Sequence, residues 1–232
     1  KMEKAGCKLQ QKEDGTFVLN LYSVPDIETL VPLKGMPISE LVLAHAKVTD
    51  LSPLKGMELT FLRLCKHGKL NDLSPLKGMP LKSLSIFLSP VKDLSPLKGM
   101  PLESLHLQLE DLTNLAPLQG LPLKTLGLVC CNNLSSLTPL KGMPLEGLNL
   151  GGMIKVSDLN PLKGMSLTQL DLRSTKIKDL TPLKGMPLKV LQLDNCSELR
   201  DLSPLKGMPL KELTLELCSG LKDLTPLAEC KE

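Results

Sequence analysis

Ten prolines punctuate the chain at Pro32, Pro53, Pro75, Pro96, Pro117, Pro139, Pro161, Pro182, Pro204 and Pro226, with gaps of 21, 22, 21, 21, 22, 22, 21, 22 and 22 residues. A fixed period of this length means stacked copies of one small unit, and it constrains the fold more than any local feature does. In such a solenoid each unit touches only its neighbours, so the 232 residues do not have to divide into one or two globular domains. The copies also align with one another, which separates fixed positions from variable ones.

The copy that starts at Pro182 shows the physics of one unit. Its middle, Leu188 to Leu193, is Leu-x-x-Leu-x-Leu, and Leu191, Gln192 and Leu193 alternate apolar, polar, apolar, the two-residue period of a half-buried strand. Aligned strands centre on Val42, Arg63, Ser85, His106, Gly127, Asn149, Asp171 and Thr214, and an earlier one covers Val18-Leu19-Asn20-Leu21, so ten parallel strands are expected. The rest of the unit is a tight turn. Ser203 is expected as a helix N-cap, Pro204 as the first helical residue and Gly207 as the exit, which leaves room for about one 3₁₀ turn. Leucine forms the core almost alone, since the chain has no Trp, one Tyr and three Phe.

This pattern resembles bacterial leucine-rich repeats of the short internalin-like kind, here of the Pro-Leu-Lys-Gly-Met-Pro-Leu type. The resemblance covers residues 17–232, with Ile86 as a conservative exchange in the leucine pattern. It implies an α/β repeat solenoid: a right-handed superhelix with a parallel β-sheet on the concave face and short 3₁₀ turns on the convex face. The family's inward Asn/Cys position, three residues after the second strand leucine, corresponds to Cys131, Cys196 and Cys218. Other copies place Ala46, His67, Ser89, Glu110, Met153 and Thr175 there, so a broken inner ladder is expected. Repeats of this type also accompany signalling or catalytic domains in longer chains, and the start at Lys1 fits an excerpt of one.

At the front, Leu9 to Lys12, Glu13-Asp14-Gly15-Thr16 and Phe17 to Leu19 read as a β-hairpin with an Asp-Gly turn. Residues 1–16 are therefore expected to form an N-terminal capping hairpin or linker, and residues 17–232 the repeat domain of nine full repeats. At the far end no cap is visible over the strand around Leu213 to Leu215, so either a further segment or a partner is expected to cover it, self-association through that edge included.

The function is written in what varies. Lysine follows Pro-Leu in eight copies and aspartate precedes Leu-Ser/Thr/Asn-Pro in seven, whereas the outward strand positions hold no fixed residue type. Those positions form three rows on the concave face. The first is Glu40, Phe61, Ser83, Ser104, Thr125, Gly147, Gln169, Val190, Glu212. The central one is Val42, Arg63, Ser85, His106, Gly127, Asn149, Asp171, Gln192, Thr214. The third is Ala44, Cys65, Phe87, Gln108, Val129, Gly151, Arg173, Asp194, Glu216. A uniform scaffold under a diversified surface points to a non-catalytic module that binds a protein or peptide. Candidate contacts are Phe61, Arg63, Ser85, Phe87, His106, Gln108, Asn149, Asp171, Arg173, Gln192, Asp194, Glu212 and Glu216. Aromatic and arginine side chains are the usual anchors of interfaces, although Phe61 and Phe87 can instead pack on each other. Asp171, Asp194, Glu212 and Glu216 form an acidic end, with Arg173 expected to pair with an acidic neighbour. Strands spaced at about 4.8 Å give an inner arc of about 45 Å. About thirty positions on that arc match the roughly 20–30 residues a side of a standard interface.

Other chemistry finds little support. The three histidines are not joined to Ser and Asp on neighbouring rows, so no catalytic set is assigned. Cys65-x-His67 is a weak metal signal. The Gly-Met-Pro copies are exit turns and not a phosphate cradle, so no cofactor is expected. Seven cysteines cannot all pair, and Cys196 and Cys218 on adjacent coils are expected as buried thiols, while Cys130-Cys131 splits into one outward and one inward thiol. With no signal peptide in view and free thiols, the expected location is cytoplasmic or undetermined. No apolar run spans a membrane. Two rival readings remain: a structural spacer or assembly element, and a polyanion binder through Lys34, Lys55, Lys77, Lys98, Lys141, Lys163, Lys184 and Lys206. A net charge of +3 and the parallel aspartate stripe argue against nucleic acid.

Overall fold

Each leucine triplet becomes one rung of a continuous sheet. The computed structural model describes residues 7–229 except Pro25, Ala46 and His67. Its strands are β1 (Lys8–Gln11), β2 (Phe17–Leu21), β3 (Ile38–Ala44), β4 (Phe61–Cys65), β5 (Ser83–Phe87), β6 (Ser104–Gln108), β7 (Thr125–Leu128), β8 (Gly147–Asn149), β9 (Gln169–Asp171), β10 (Val190–Gln192) and β11 (Glu212–Thr214). They lie in strict sequence order. Strands β2 to β11 are parallel. β1 pairs antiparallel to β2 across a turn with Gly15 at φ +82°. β1 extends the sheet edge and does not lie over the core, because all four of its side chains are exposed.

The core is the stacked leucines. Leu62, Leu64, Leu84, Ile86, Leu105, Leu107, Leu191 and Leu193 have no exposed surface, and the methionines after the turn glycines close the convex side. No coil could bury these side chains alone, so each rests on the next. The helical layer consists of 3₁₀ turns such as Ser52–Leu54, Ser74–Leu76 and Ser203–Leu205.

The capping differs from expectation. The serine or threonine before each proline is already inside the 3₁₀ turn, and its hydroxyl caps nothing. The aspartate two residues earlier does that work: Asp72 Oδ1 accepts the Ser74 N–H at 2.7 Å, and Ser74 Oγ donates to Asp72 Oδ2 at 2.8 Å. The same arrangement joins Asp50 to Ser52, Asp93 to Ser95 and Asp201 to Ser203. A short acidic side chain reaches the N–H two residues on, the geometry of an Asx turn. These bonds, with the Ser or Thr hydroxyl as the first cause, hold the carboxyls of Asp50, Asp93, Asp179 and Asp201 below the usual range. The aspartate stripe is therefore turn architecture.

After each 3₁₀ turn the Leu-Lys-Gly-Met segment makes a type II turn. Lys77 has φ −56° and ψ 126°, Gly78 has φ +75°, and the Met79 N–H donates to the Leu76 carbonyl at 3.1 Å. The third residue of that turn needs positive φ, which is why glycine recurs there.

At the other end of eight strands, β3 to β5 and β7 to β11, the residue two after the second core leucine is also left-handed: His45, Lys66, Leu88, Cys130, Gly152, Ser174, Asn195 and Leu217. The β6 coil lacks this residue. Its Leu109 enters the core at 0% exposure, in the place expected for Glu110, which is exposed. The inner ladder is broken there and at Met153. From Thr175 onward it is polar, because Thr175 Oγ1 and Cys196 Sγ both donate to the Leu172 carbonyl, and Cys218 Sγ donates to the Leu193 carbonyl. Cys131 and Cys196 are buried free thiols, and Cys218 is a half-buried one.

Candidate concave binding surface

Strand register aligns the first and central rows residue for residue from β3 to β11. The third row is in register from Ala44 through Cys65 and Phe87 to Gln108, after which the strands shorten. At β8 and β9 a local cause is visible: Asn149 Oδ1 accepts the Gly151 N–H at 2.8 Å, and Asp171 Oδ1 accepts the Arg173 N–H at 3.0 Å. These side chains hold the backbone where the strand pairing would otherwise continue.

On β4 and β5, Arg63 is exposed, Phe61 and Phe87 are half-buried, and Ser85 is buried. Phe61 lies in the first row and Phe87 in the third, on either side of Arg63 and Ser85. Among the described residues the one aromatic ring contact is between Tyr22 and His45, so the two phenylalanines do not stack. Arg63 makes no ion pair among the described residues. Its charge, together with the larger effect of burial, lowers the pKa of His106 on β6.

His106 is part of a contact that the row alignment misses. Its Nε2 lies 3.2 Å from Ser104 Oγ on the same strand, and Thr125 Oγ1 donates to Ser104 Oγ at 2.9 Å. The signal was available, since residues i and i+2 of one strand share a face. Among the described residues no carboxylate is bonded to His106, as the partner that orients a catalytic imidazole would be. The Nδ1 side of His106 instead lies against Gly127, where a Cβ would come within 2.6 Å of it.

The acidic end is less acidic than its residues suggest. Asp171 is only 7% exposed, and Arg173 forks onto it, Nε to Oδ1 at 3.0 Å and one terminal nitrogen to Oδ2 at 2.7 Å. Asp194 is also engaged, accepting Thr214 Oγ1 at 2.6 Å and the Glu216 N–H at 2.8 Å. Glu212 and Glu216 remain exposed. Gln108 on β6, Asn149 on β8 and Gln192 on β10 are half-buried. The thirteen candidates lie on one sheet, with Phe61, Arg63, Ser85 and Phe87 on β4 and β5 and the Asp171–Arg173 pair farther along, and His106 lines the same depression as Asn149, Asp171 and Gln192.

His67 lies outside the described residues, and with it the Cys65-x-His67 signal. Among the described residues no group of three or more His, Cys, Asp or Glu side chains is placed to hold a metal, and no helix is long and apolar enough to cross a membrane.

No protein-family model and no curated protein matches the chain. Solved structures do. An internalin (inlF) from Listeria monocytogenes is 27% identical with a TM-score of 0.61, over 88% of this chain and 75% of that one. An internalin C2 (inlC2) from the same organism is 28% identical with a TM-score of 0.55, over 85% and 80%. The chain has an internalin-like leucine-rich-repeat solenoid fold.

Proposed function

We propose that this internalin-like solenoid is a non-catalytic module that binds a protein or peptide on its concave sheet. The observation that carries the reading is the contrast between the two faces. Convex side chains repeat because they build turns: aspartate caps, glycine permits the type II turn, and methionine fills the core. Concave side chains at equivalent register differ from rung to rung, from Phe61 through His106 to Glu212, and the backbone bonds that Asn149, Asp171 and Asp194 make are confined to a few rungs and do not recur on every one. Arg63, Phe61 and Phe87 supply a cation, without an ion pair among the described residues, between two half-buried rings, the composition of an interface anchor.

The test uses the immobilised chain against a random 12-residue peptide library displayed on phage. Binders should be lost from a Phe61→Ala, Arg63→Ala, Phe87→Ala variant whose melting temperature is unchanged, and kept by a Lys141→Ala, Lys163→Ala convex variant. The reverse pattern, with binding that collapses steeply as salt rises, would establish the polyanion reading instead.

One observation favours a second reading, assembly through β11. Leu213 and Leu215 are half-buried where the aligned leucines of inner coils are fully buried, and Leu217 is 78% exposed. Against it, antiparallel pairing of β11 with its copy about Thr214 would set Glu212 opposite Glu216, and like charges directly opposite destabilise a strand pair. A sedimentation series over a hundredfold concentration range separates the two: a constant monomer mass removes the assembly reading.

A further inference from the structure

The middle of the concave sheet is where side chains disappear. Gly127 in the central row, Gly147 in the first and Gly151 in the third fall on two adjacent rungs. Beside Gly147 this leaves a depression of about 240 Å³, walled by His106, Thr125, Asn149, Gln169, Gln192 and the Asp171–Arg173 pair, and lined also by Val190 and three strand leucines. Gly151 continues the lowered surface toward Asp194 and Glu216.

The chemistry of these walls is specific. Both Asp171 oxygens are taken by Arg173, so the one formal anion in the lining is already neutralised. Three walls are carboxamides. Asn149 commits its oxygen to the Gly151 N–H, which leaves its amide N–H groups as donors. Gln169 and Gln192 make no side-chain hydrogen bond among the described residues, so each offers a donor and an acceptor. A charged side chain entering here would shed water and have to compete with the Asp171–Arg173 pair that is already made. An apolar one would cover the half-buried Asn149 and Gln192 amides without partnering them, and a polar group buried without a partner costs the desolvation of that group. A group carrying both donor and acceptor satisfies them.

We infer that this glycine notch is the socket of the concave face, and that it receives one uncharged polar side chain, a carboxamide or hydroxyl, projecting from an extended partner segment. The inference rests on the concave reading above and gives the partner a chemistry. The notch takes the single residue that sets register, while the Phe61, Arg63 and Phe87 cluster, several rungs away, supplies contact area.

The Gly147→Val variant tests it. A Cβ at Gly147 would lie 3.6 Å from Thr125 Cγ2, an ordinary contact, and the backbone there is not left-handed. Valine suits a strand, so the variant fills the notch while the chain still folds. Peptides selected on the unmodified chain from the random 12-residue phage library should share one fixed Asn, Gln, Ser or Thr. Their affinity should fall at least tenfold against Gly147→Val, and equally when that peptide residue is changed to Glu, Lys or Leu. Should Gly147→Val melt early, the Gln169→Ala, Gln192→Ala double variant gives the same readout. Peptides that ignore Gly147→Val but are lost from the Phe61, Arg63, Phe87 variant would remove the socket and leave the concave reading standing. Peptides indifferent to both variants would remove both. A fixed residue that is charged or apolar would overturn the chemistry assigned to the notch.

Discussion

Gly142 and Gly147, in one coil, should respond to alanine with opposite signs. Gly142 sits at φ +73° in its type II turn, and a Cβ added there would have nothing within 4 Å, so alanine meets no steric contact and suffers only backbone strain. A left-handed residue with a Cβ costs about 1–2 kcal/mol. Gly147 lies in β8 without positive φ, and its Cβ would meet only a methyl at 3.6 Å. Alanine there restricts the unfolded chain and should stabilise by about 0.5–1 kcal/mol. With a urea dependence of about 3 kcal/mol per molar for a chain of this size, Gly142→Ala lowers the midpoint by about 0.3–0.7 M and Gly147→Ala raises it by about 0.2–0.3 M. Urea titration followed by far-ultraviolet circular dichroism reads both shifts. A neutral Gly142→Ala, or two shifts of the same sign, would refute the assignment of the repeated glycine to backbone conformation.

Three further outcomes are expected. The carboxyls of Asp50, Asp93, Asp179, Asp201 and Asp223 are held below their ordinary value by bonds to the Ser or Thr two residues on. Their contribution is therefore complete above the unfolded carboxylate value near pH 4 and lost as pH falls through the lower folded values, so the melting temperature should be flat from about pH 7 to 5 and drop below about 4. Arg173→Ala leaves the Asp171 carboxylate buried without its cation. Because the Arg173 head is half exposed, the cost should be about 1–2 kcal/mol, less than for a fully buried pair, and Asp171→Asn in the same chain should recover most of it in a double-mutant cycle. Iodoacetamide at about pH 8 should label half-buried Cys130 well before buried Cys131, whose thiol is pushed up by burial; equal rates by mass spectrometry would contradict the inward and outward split.

The repeat made the strands and their rows legible because stacking copies in register is the only way to bury leucines at a fixed period. The aspartates were legible as a stripe but not as caps. Ser-Pro resembles an N-cap signal, and only the fold shows that the 3₁₀ turn begins one residue earlier, at the serine itself. Leu109 was misaligned with Glu110 for a related reason: a 21-residue coil can omit a residue at several places, and burial decides which.

What the amino-acid order determined alone is therefore periodic: ten parallel rungs, the place of one short turn between each pair, and which strand positions form the outward rows. What the tertiary structure decided is the state of those outward side chains. Asp171 is a neutralised wall and not a free anion because Arg173 folds back on it, and His106 can lie against the next coil because Gly127 has no side chain to prevent it. Such contacts depend on rotamers and on the absence of a neighbour, and neither is encoded in any one repeat.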